Sequence, residues 1–574
     1  MADGSRSSPD GAPAASAHPV WTRLLIPSTA DTIFIALLAV LTCTSLSVRL
    51  LGDAGIGWHI RTGQQILASH VIPRVDSFSS TMSGKPWFAW EWLYDVMVGG
   101  LEHWAGLNGV VWLTSVVIAG VFAWTFRLLV RRGTNVFVAL VLVLLAASAS
   151  MIHFLARPHV VSWLFTVAWF WILDSSEKEC SEKDSSEKDG SAGAATRSRQ
   201  RLWALPLLML VWVNLHGGFL VGFVLLAIYW LSAVWSEVSL REDKFSEFMP
   251  KMRWRARARN VEVAGLAVAV ASLANPYGWR LHAHIYRYLT NRFLMEHIDE
   301  FQSPNFHGVA QRCFALLVLL VIVALAARPR ELRVSEALVI LFALYSGFYA
   351  SRNIPASSLL LVLVMGPLLS GAIERLEGRR LPLRNLLAGM TELAERMGSV
   401  EETLKGHLWA IAGVAATCWI AAHGGRLGST TLMDAHFDGK RFPIAAVDFL
   451  DRREAQERTA ETGTAEDETA RKSQPVTAPD YWGGYLIYRL SPRTLVTVDD
   501  RHDFYGEEFF KSYLKMVHVD PGWDGLLEKY QARRVLVPKG SPLANILELS
   551  PPWKIIYSDD IAVIFERPAG ARLP

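Results

Sequence analysis

Residues 31–63 read DTIFIALLAVLTCTSLSVRLLGDAGIGWHIRTG, and the order of their parts decides the fold class. The apolar run 31–51 has about the length a helix needs to cross a hydrocarbon layer. The chain then breaks at Gly52-Asp53 and resumes as an amphipathic stretch, 57–69, carrying Trp58, His59 and Arg61. Outward from this stretch, further apolar runs lie at 107–126, 134–152, 159–173, 202–213, 218–235, 261–274, 313–327, 334–350, 356–373 and 407–423. Eleven transmembrane helices are therefore expected over 31–424. Residues 90–104 (WEWLYDVMVGGLEHW) are apolar but carry Glu91, Asp95 and Glu102, and read as an interfacial helix inside a first loop, 52–106. Composition agrees. Of 574 residues 51% are hydrophobic and only 19% charged, against about a quarter charged in soluble domains. The 22 Trp residues suit membrane interfaces, and mean hydropathy is +0.23.

The loops give the orientation. Those at 127–133, 174–201, 236–260, 328–333 and 374–405 hold 25 Lys and Arg in 98 residues. The alternate loops, 52–106, 153–158, 214–218, 275–312 and 351–355, hold 9 in 109. The positive-inside rule puts the first set and the N-terminus in the cytoplasm. An odd number of spans then places residues 425–574 outside a plasma (inner) membrane. Residues 1–30 read as a disordered cytoplasmic tail without the features of a cleaved signal peptide. The loop 174–200, with its repeated Ser-Glu-Lys, reads as a solvated linker, and 374–405 as an amphipathic helix on the cytoplasmic face. A net charge of +3 spread over short loops gives no case for nucleic acid. Four scattered cysteines (Cys43, Cys180, Cys313, Cys418) give none for a disulfide framework or a zinc site.

Residues 425–574 are richer in charge and alternate strand-like runs (495–498, 535–537, 555–557, 562–565) with helical patterns (443–452, 506–518, 522–531, 541–549). A small extracytoplasmic α/β domain is expected, with a hairpin around Ser558-Asp559-Asp560 and a flexible acidic insertion at 457–478.

Chemistry-bearing residues are distributed unevenly. The motifs GDAGIGWHIRTG (Asp53, His59), PWFAWEWL (Glu91), ARPH (Arg157, His159), NLHGG (Asn214, His216), NPYGW, DEFQSPNF (Asp299, Glu300) and SRNIP (Arg352, Asn353) all fall on the expected outer side. Each has an ordinary reading: Asp53 as a solvated helix end, His59 as a structural histidine, the arginines as snorkelling residues, the Pro and Gly motifs as turns. Their common side and depth point to a shared site, because polar groups at the ends of bundled helices are costly unless used. A carboxylate there serves as general base toward a hydroxyl, and arginines suit a phosphate leaving group. Such a pair, opening on a membrane, fits group transfer from a lipid-linked phosphate donor. A transporter or flippase of a lipid-linked saccharide and a non-catalytic membrane scaffold are the competing classes. The transporter is disfavoured by few mid-depth ionisable residues and no visible inverted repeat. The scaffold leaves the outer motifs unexplained.

On GDAGIGWHIRTGQQIL, VDSFSSTMSGKPWFAWEWL, ARPHVVSWL, VNLHGGFLVG, NPYGWRLH, FQSPNF and SRNIPASSLLLV, the sequence resembles the GT-C superfamily of integral-membrane glycosyltransferases. The likeness is to the bacterial branch similar to protein mannosyltransferases and Rgt-type lipopolysaccharide glycosyltransferases, and covers most of 30–370. It implies transfer of a hexosyl or pentosyl group from a polyprenyl-phosphate-linked donor to a saccharide, lipid or protein acceptor, with inversion, on the outer face. It also implies an essential Asp in the first outer loop, flanked by membrane-parallel helices. Asp53 stands at that position, with His59 and Glu91 in the same loop. Arg157, His159, Asn214, His216, Arg352 and Asn353 are the expected donor and phosphate ligands. Many relatives carry D-x-D, whose second acid corresponds to Gly55 here. A divalent cation held by two carboxylates would then need another acid, and Glu91 is the candidate. The stretch DYWGGYLIYRLSPRTLVTVDDRHDFYG is distantly similar to the WWDYG region of oligosaccharyltransferases, which places Tyr481, Trp482 and Tyr485 on the acceptor side.

Overall fold

The computed structural model describes residues 25–181, 199–239, 245–327, 329–377, 384–404, 407–461 and 474–568. Every apolar run lies on a helix. In chain order these are Thr29–Cys43, the second part of Trp92–Arg131, Val136–Ser150, His159–Ser181, Ala204–Leu215, Leu220–Ser239, Phe245–Ala271, Val309–Ala327, Val334–Tyr349, Ile354–Glu377 and Leu408–Ala422. Among the described residues, five stretches are long and apolar enough by themselves to cross a membrane: Trp92–Arg131, Val136–His153, Gly217–Ser239, Val309–Ala327 and Ser351–Arg375. The separately expected helices 90–104 and 107–126 run into one another as Trp92–Arg131. They meet at a break, Ala105 and Gly106, where Gly106 takes φ +60°. The first run divides instead, because Thr44 turns extended after Cys43 before a short helix, Leu46–Leu50.

The amphipathic run at 374–405 forms the helix Arg384–Thr403, and its Glu401 carboxylate accepts the Thr29 and Ala30 amides at 2.7 and 3.2 Å. A carboxylate there meets the positive end of the first helix's dipole. Most of the low-complexity loop 174–200 lies outside the described residues, but its first part continues helix His159–Ser181. On that continuation a buried lattice of charge binds helices together. Arg333 pairs with Asp174 (2.7 Å), Glu177 (3.1 Å) and Glu336 (2.8 Å), and Arg132 pairs with Asp174. Arg257 donates to Ser176 at 2.7 Å, and Ser232 donates to Glu177 at 2.9 Å.

The C-terminal region carries a four-stranded sheet in the order Val476–Thr477, Arg534–Pro538, Ala562–Glu566, Lys554–Ser558. The first pair is parallel and the others antiparallel, so the expected hairpin around 558–560 is present. Two expectations are corrected. Residues 495–498 form no strand of their own; Val496 makes isolated parallel bridges to Val476 and to Ser79 of the first loop. Val476 and Thr477, expected at the end of a flexible insertion, are a buried edge strand, while 462–473 lie outside the described residues.

Residues Asp480–Leu490 form a helix that packs on helix Ile56–Ser69 through facing glycines. A Cβ on Gly484 would lie 2.2 Å from the Ala54 carbonyl oxygen, and one on Gly57 2.1 Å from the Gly484 carbonyl oxygen, so neither position tolerates a side chain. Beside this contact Arg501 is buried, bonded at 2.7 Å to Asp76 and to Asp499. Four rings surround its guanidinium at 4.6 to 6.0 Å: Trp87, Phe504, Phe78 and Trp58.

Candidate functional site

The motif loops bond to one another at one end of the helix bundle. Ala156 of ARPH donates to the Leu50 carbonyl at the end of the first helix pair (2.7 Å). The Trp92 indole donates to Asn214 (2.7 Å), whose amide donates to the Ala274 carbonyl beside NPYGW (2.9 Å). Ala89 donates to the Tyr277 hydroxyl (2.8 Å), and Ser351 of SRNIP to the Gln302 carbonyl (2.9 Å). Seven segments far apart in the chain thus share one polar face.

At its centre is a charged triad. Arg157 Nη1 donates to Asp53 Oδ1 at 3.1 Å and to Asp500 Oδ2 at 2.7 Å. Asp53 Oδ1 also accepts the Gly55 amide at 2.8 Å, which fixes the carboxylate at the head of helix Ile56–Ser69. Asp500 Oδ1 accepts the Trp58 indole N–H at 3.0 Å. The Asp53 side chain keeps 33% exposure, Arg157 22% and Asp500 15%. Among the described residues Arg157 Nε and Nη2 have no hydrogen-bond partner, so one nitrogen serves both carboxylates and the rest of the fork is free. Burial pushes the Asp500 carboxyl up to about 6, with Arg157 opposing and Asp53 adding to the rise.

Asp500 is the residue that sequence reasoning missed, and Gly55 explains it. A Cβ at position 55 would lie 1.6 Å from Arg157 Nη1 and 2.3 Å from Asp500 Oδ2. The space left open at Gly55 is occupied by the Arg157 guanidinium and a carboxylate from the C-terminal region. Glu91, the expected substitute, belongs to a neighbouring group: its oxygens lie 3.8 Å from His59 Nε2 and 3.7 Å from His216 Nε2. The residues present do not fit a metal site. Among the described residues no group of three or more His, Cys, Asp and Glu is gathered to hold an ion, and a guanidinium already sits between the two carboxylates.

Burial raises Glu91 to about 8, so its carboxyl is mostly protonated at neutral pH. Burial lowers His216 to about 3 and holds His59 well below its ordinary range, with Arg352 and Arg157 respectively adding to these shifts. His216 Nδ1 accepts the Gly218 amide at 3.0 Å, which puts the ring proton on Nε2, toward Glu91. His59 is buried, stacks on Trp58 at 3.6 Å and bonds Asp95 at 2.6 Å. Its ring is fully buried and leaves no face open to solvent.

Arg352 pairs with Glu300 at 2.9 Å and lies 4.4 Å from the Phe301 ring. Burial alone would raise Glu300, but Arg352 and then Arg157 outweigh it and hold the carboxyl near 2. Asn214 and Asn353, expected as donor ligands, use their amides on backbone: Asn214 on the Leu210 and Ala274 carbonyls and Asn353 on the Ser346 carbonyl. His159 Nε2 bonds the His153 carbonyl at 2.9 Å. Of the expected acceptor-side residues only Tyr481 faces outward, at 55% exposure. Trp482 donates to the Arg441 carbonyl and Tyr485 packs against Phe437 and Phe442; both are core residues.

No family model matches the chain, and no curated protein matches it by sequence. Solved structures do match. The apo oligosaccharyltransferase of Archaeoglobus fulgidus superposes with a TM-score of 0.52 at 10% identity, over 89% of this chain and 69% of that one. The archaeal oligosaccharyltransferase AglB from the same organism, in complex with an inhibitory peptide and a dolichol-phosphate, gives 0.53 at 11% identity with the same coverage. ArnT from Cupriavidus metallidurans, bound to undecaprenyl phosphate, gives 0.47 at 12% identity over 95% and 99%. The likeness shows the fold: this chain shares the architecture of these oligosaccharyltransferases.

Proposed function

We propose that the protein is a membrane glycosyltransferase that moves a hexosyl or pentosyl group from a polyprenyl-phosphate-linked donor to an acceptor hydroxyl. The reading places the motif-bearing face and residues 425–574 outside the plasma membrane and the N-terminus in the cytoplasm, on the strength of the loop charge asymmetry. The observation that carries it is the Arg157 fork. One nitrogen is committed to Asp53 and Asp500, while Nε and Nη2 have no partner and suit a phosphate oxygen pair. The dolichol-phosphate bound by AglB supports a donor of that class.

In the proposed step the acceptor oxygen attacks the anomeric carbon as the bond from that carbon to the phosphate oxygen breaks. The polyprenyl phosphate leaves with the electron pair and the configuration inverts. Asp53, the most exposed carboxylate of the triad, takes the acceptor proton. Arg157 neutralises charge growing on the leaving phosphate, with Arg352 at longer range. Asp500 and the Gly55 amide hold Arg157 and Asp53 in place, and the Glu91, His59 and His216 group supports the loop from beneath. No metal enters this step, because the two carboxylates are already bridged by a guanidinium.

The test is purified protein with radiolabelled polyprenyl-phosphate sugars and candidate acceptors, scored by release of polyprenyl phosphate. Asp53→Asn keeps the shape and removes the base, so turnover should fall about 10²–10⁴-fold. Near wild-type turnover in that variant would remove Asp53 from the role and make Asp500 the next residue to replace.

A further inference from the structure

The second charged region lies at the other end of the bundle and takes no part in the proposed reaction. Helix His159–Ser181 begins beside Arg157 and carries Asp174 some 22 Å further along its axis, at ~1.5 Å per residue. There the ends of helices Trp92–Arg131 and His159–Ser181 enclose a cavity of about 220 Å³ with Arg201. Its walls are apolar on one side, formed by Leu128, Phe170 and Trp171, and Trp171 is partly exposed. The polar side holds four cations, Arg131, Arg132, Lys178 and Arg201, against two carboxylates, Asp174 and Glu179.

Those carboxylates are already engaged. Asp174 pairs with Arg132, with Lys178 at 3.8 Å and with Arg333 at 2.7 Å, and Glu179 pairs with Arg201 at 2.7 Å. Arg131 has no ion-pair partner among the described residues. The Arg132 side chain is only 7% exposed, yet its Nε and Nη2 make no hydrogen bond, and Nη2 is 3.6 Å from the nearest carboxylate oxygen. Both nitrogens are buried away from the cavity, and Nη2 lies against the Glu336 carboxylate, so the charges open to the cavity are those of Arg131 and Arg201.

We propose that this cavity binds a phosphate-bearing anion, and that its source is the headgroup of an anionic membrane phospholipid. Surplus positive charge, with the exposed Arg131 unpaired among the described residues, matches the phosphate. The aromatic wall lies where a glycerol backbone and the start of an acyl chain would run, at the bundle end that the loop charges place against the anionic leaflet. Nothing in this inference depends on the glycosyltransferase reading.

The whole protein in nanodiscs tests it, by native mass spectrometry for retained lipid and by thermal unfolding. Three conditions are compared: phosphatidylcholine alone, phosphatidylcholine with phosphatidylglycerol, and phosphatidylcholine with millimolar inorganic phosphate. The expected result is selective retention of phosphatidylglycerol with a raised Tm. Arg131→Gln with Arg201→Gln, both exposed positions that leave the buried lattice intact, should weaken retention about 25-fold, or about fivefold per charge removed. The control pair Arg255→Gln with Arg396→Gln removes the same charge from exposed positions outside the cavity and should leave retention unchanged. Stabilisation by inorganic phosphate alone, lost in the cavity pair, keeps the anion site and assigns it to a soluble ligand. Equal retention of both lipids with no effect of phosphate, or equal losses in the two double variants, overturns the proposal.

Discussion

Two clusters of arginine and carboxylate occupy opposite ends of this molecule, and they are built differently. In the lattice around Arg333 the guanidinium meets three carboxylates, from Asp174, Glu177 and Glu336, and serine hydroxyls complete the set. At the motif-bearing end Arg157 meets two carboxylates through a single nitrogen, its remaining donors are open, and Asp53 is partly exposed. Arg333 commits both terminal nitrogens to holding helices, whereas Arg157 commits one. The same residue types therefore serve structure or chemistry according to how many of their bonds are left unmade.

That contrast can be broken at either end. The largest effect is expected at Arg333. Arg333→Met leaves the buried Glu177 without an ion-pair partner among the described residues, while Asp174 keeps Arg132 and Glu336 keeps Arg330, and should cost about 3–5 kcal/mol in unfolding experiments. Turnover per folded molecule should hold, and a loss of turnover without a loss of stability would erase the distinction between the clusters. The reverse pattern is expected of Arg157→Gln: unfolding little changed, and lipid phosphate release down about 10²–10³-fold, as for the loss of one transition-state donor.

A subtler test asks whether Arg157 stands in for a cation. Arg157→Ser leaves Asp53 and Asp500 facing an empty centre, so Mn²⁺ binding, read by electron paramagnetic resonance, should tighten at least about tenfold over wild type. Wild-type binding of equal strength that Asp53→Asn abolishes would mean that the guanidinium does not exclude the ion.

The smallest effect is a pH dependence. Glu91 is raised from its ordinary value to about 8, so the folded state holds a proton there that the unfolded chain has released. Its stabilising share is complete below the unfolded value and is lost as pH rises through about 8. Below about pH 7 the lowered histidines act in the opposite sense, because the unfolded chain takes up protons that buried His59 and His216 refuse. Between about pH 7 and pH 8 the Glu91 contribution stands alone among these groups. Stability should fall there by about 1 kcal/mol, and Glu91→Gln should flatten the slope. An unchanged slope in that variant would place the proton elsewhere.

Much of this arrangement was legible from the sequence. Apolar runs of helical length and the loop charges give the membrane class, and the placement of Asp53 and Arg157 follows from their position at the ends of runs. Asp500 was not legible. It lies in a Val-Asp-Asp stretch of the C-terminal region, and nothing local marks it as the neighbour of a residue more than four hundred positions earlier. Its signal was negative: Gly55, whose missing side chain leaves room for the Asp500 carboxylate. His59, Trp482 and Tyr485, read from the sequence as site residues, are all buried. Histidine and aromatic residues in a functional stretch are also what a tightly packed interface uses, and only burial separates the two. Helix Asp480–Leu490 was hidden because two glycines lower helix propensity, and here they are needed for close packing against Gly57 and Ala54.

Arg501 has a consequence for biosynthesis. Its cage draws on Trp58, Asp76, Phe78 and Trp87, which leave the ribosome early, and on Asp499 and Phe504, which leave it near the end. Asp53 and Asp500 straddle the same gap. A copy halted before residue 499 contains every apolar run, yet it lacks Arg501 itself, two of its six partners and one arm of the charged triad. Translation itself thus acts as a timer: the first loop waits for residues 499–504, and a copy that ends before them carries no complete charged triad.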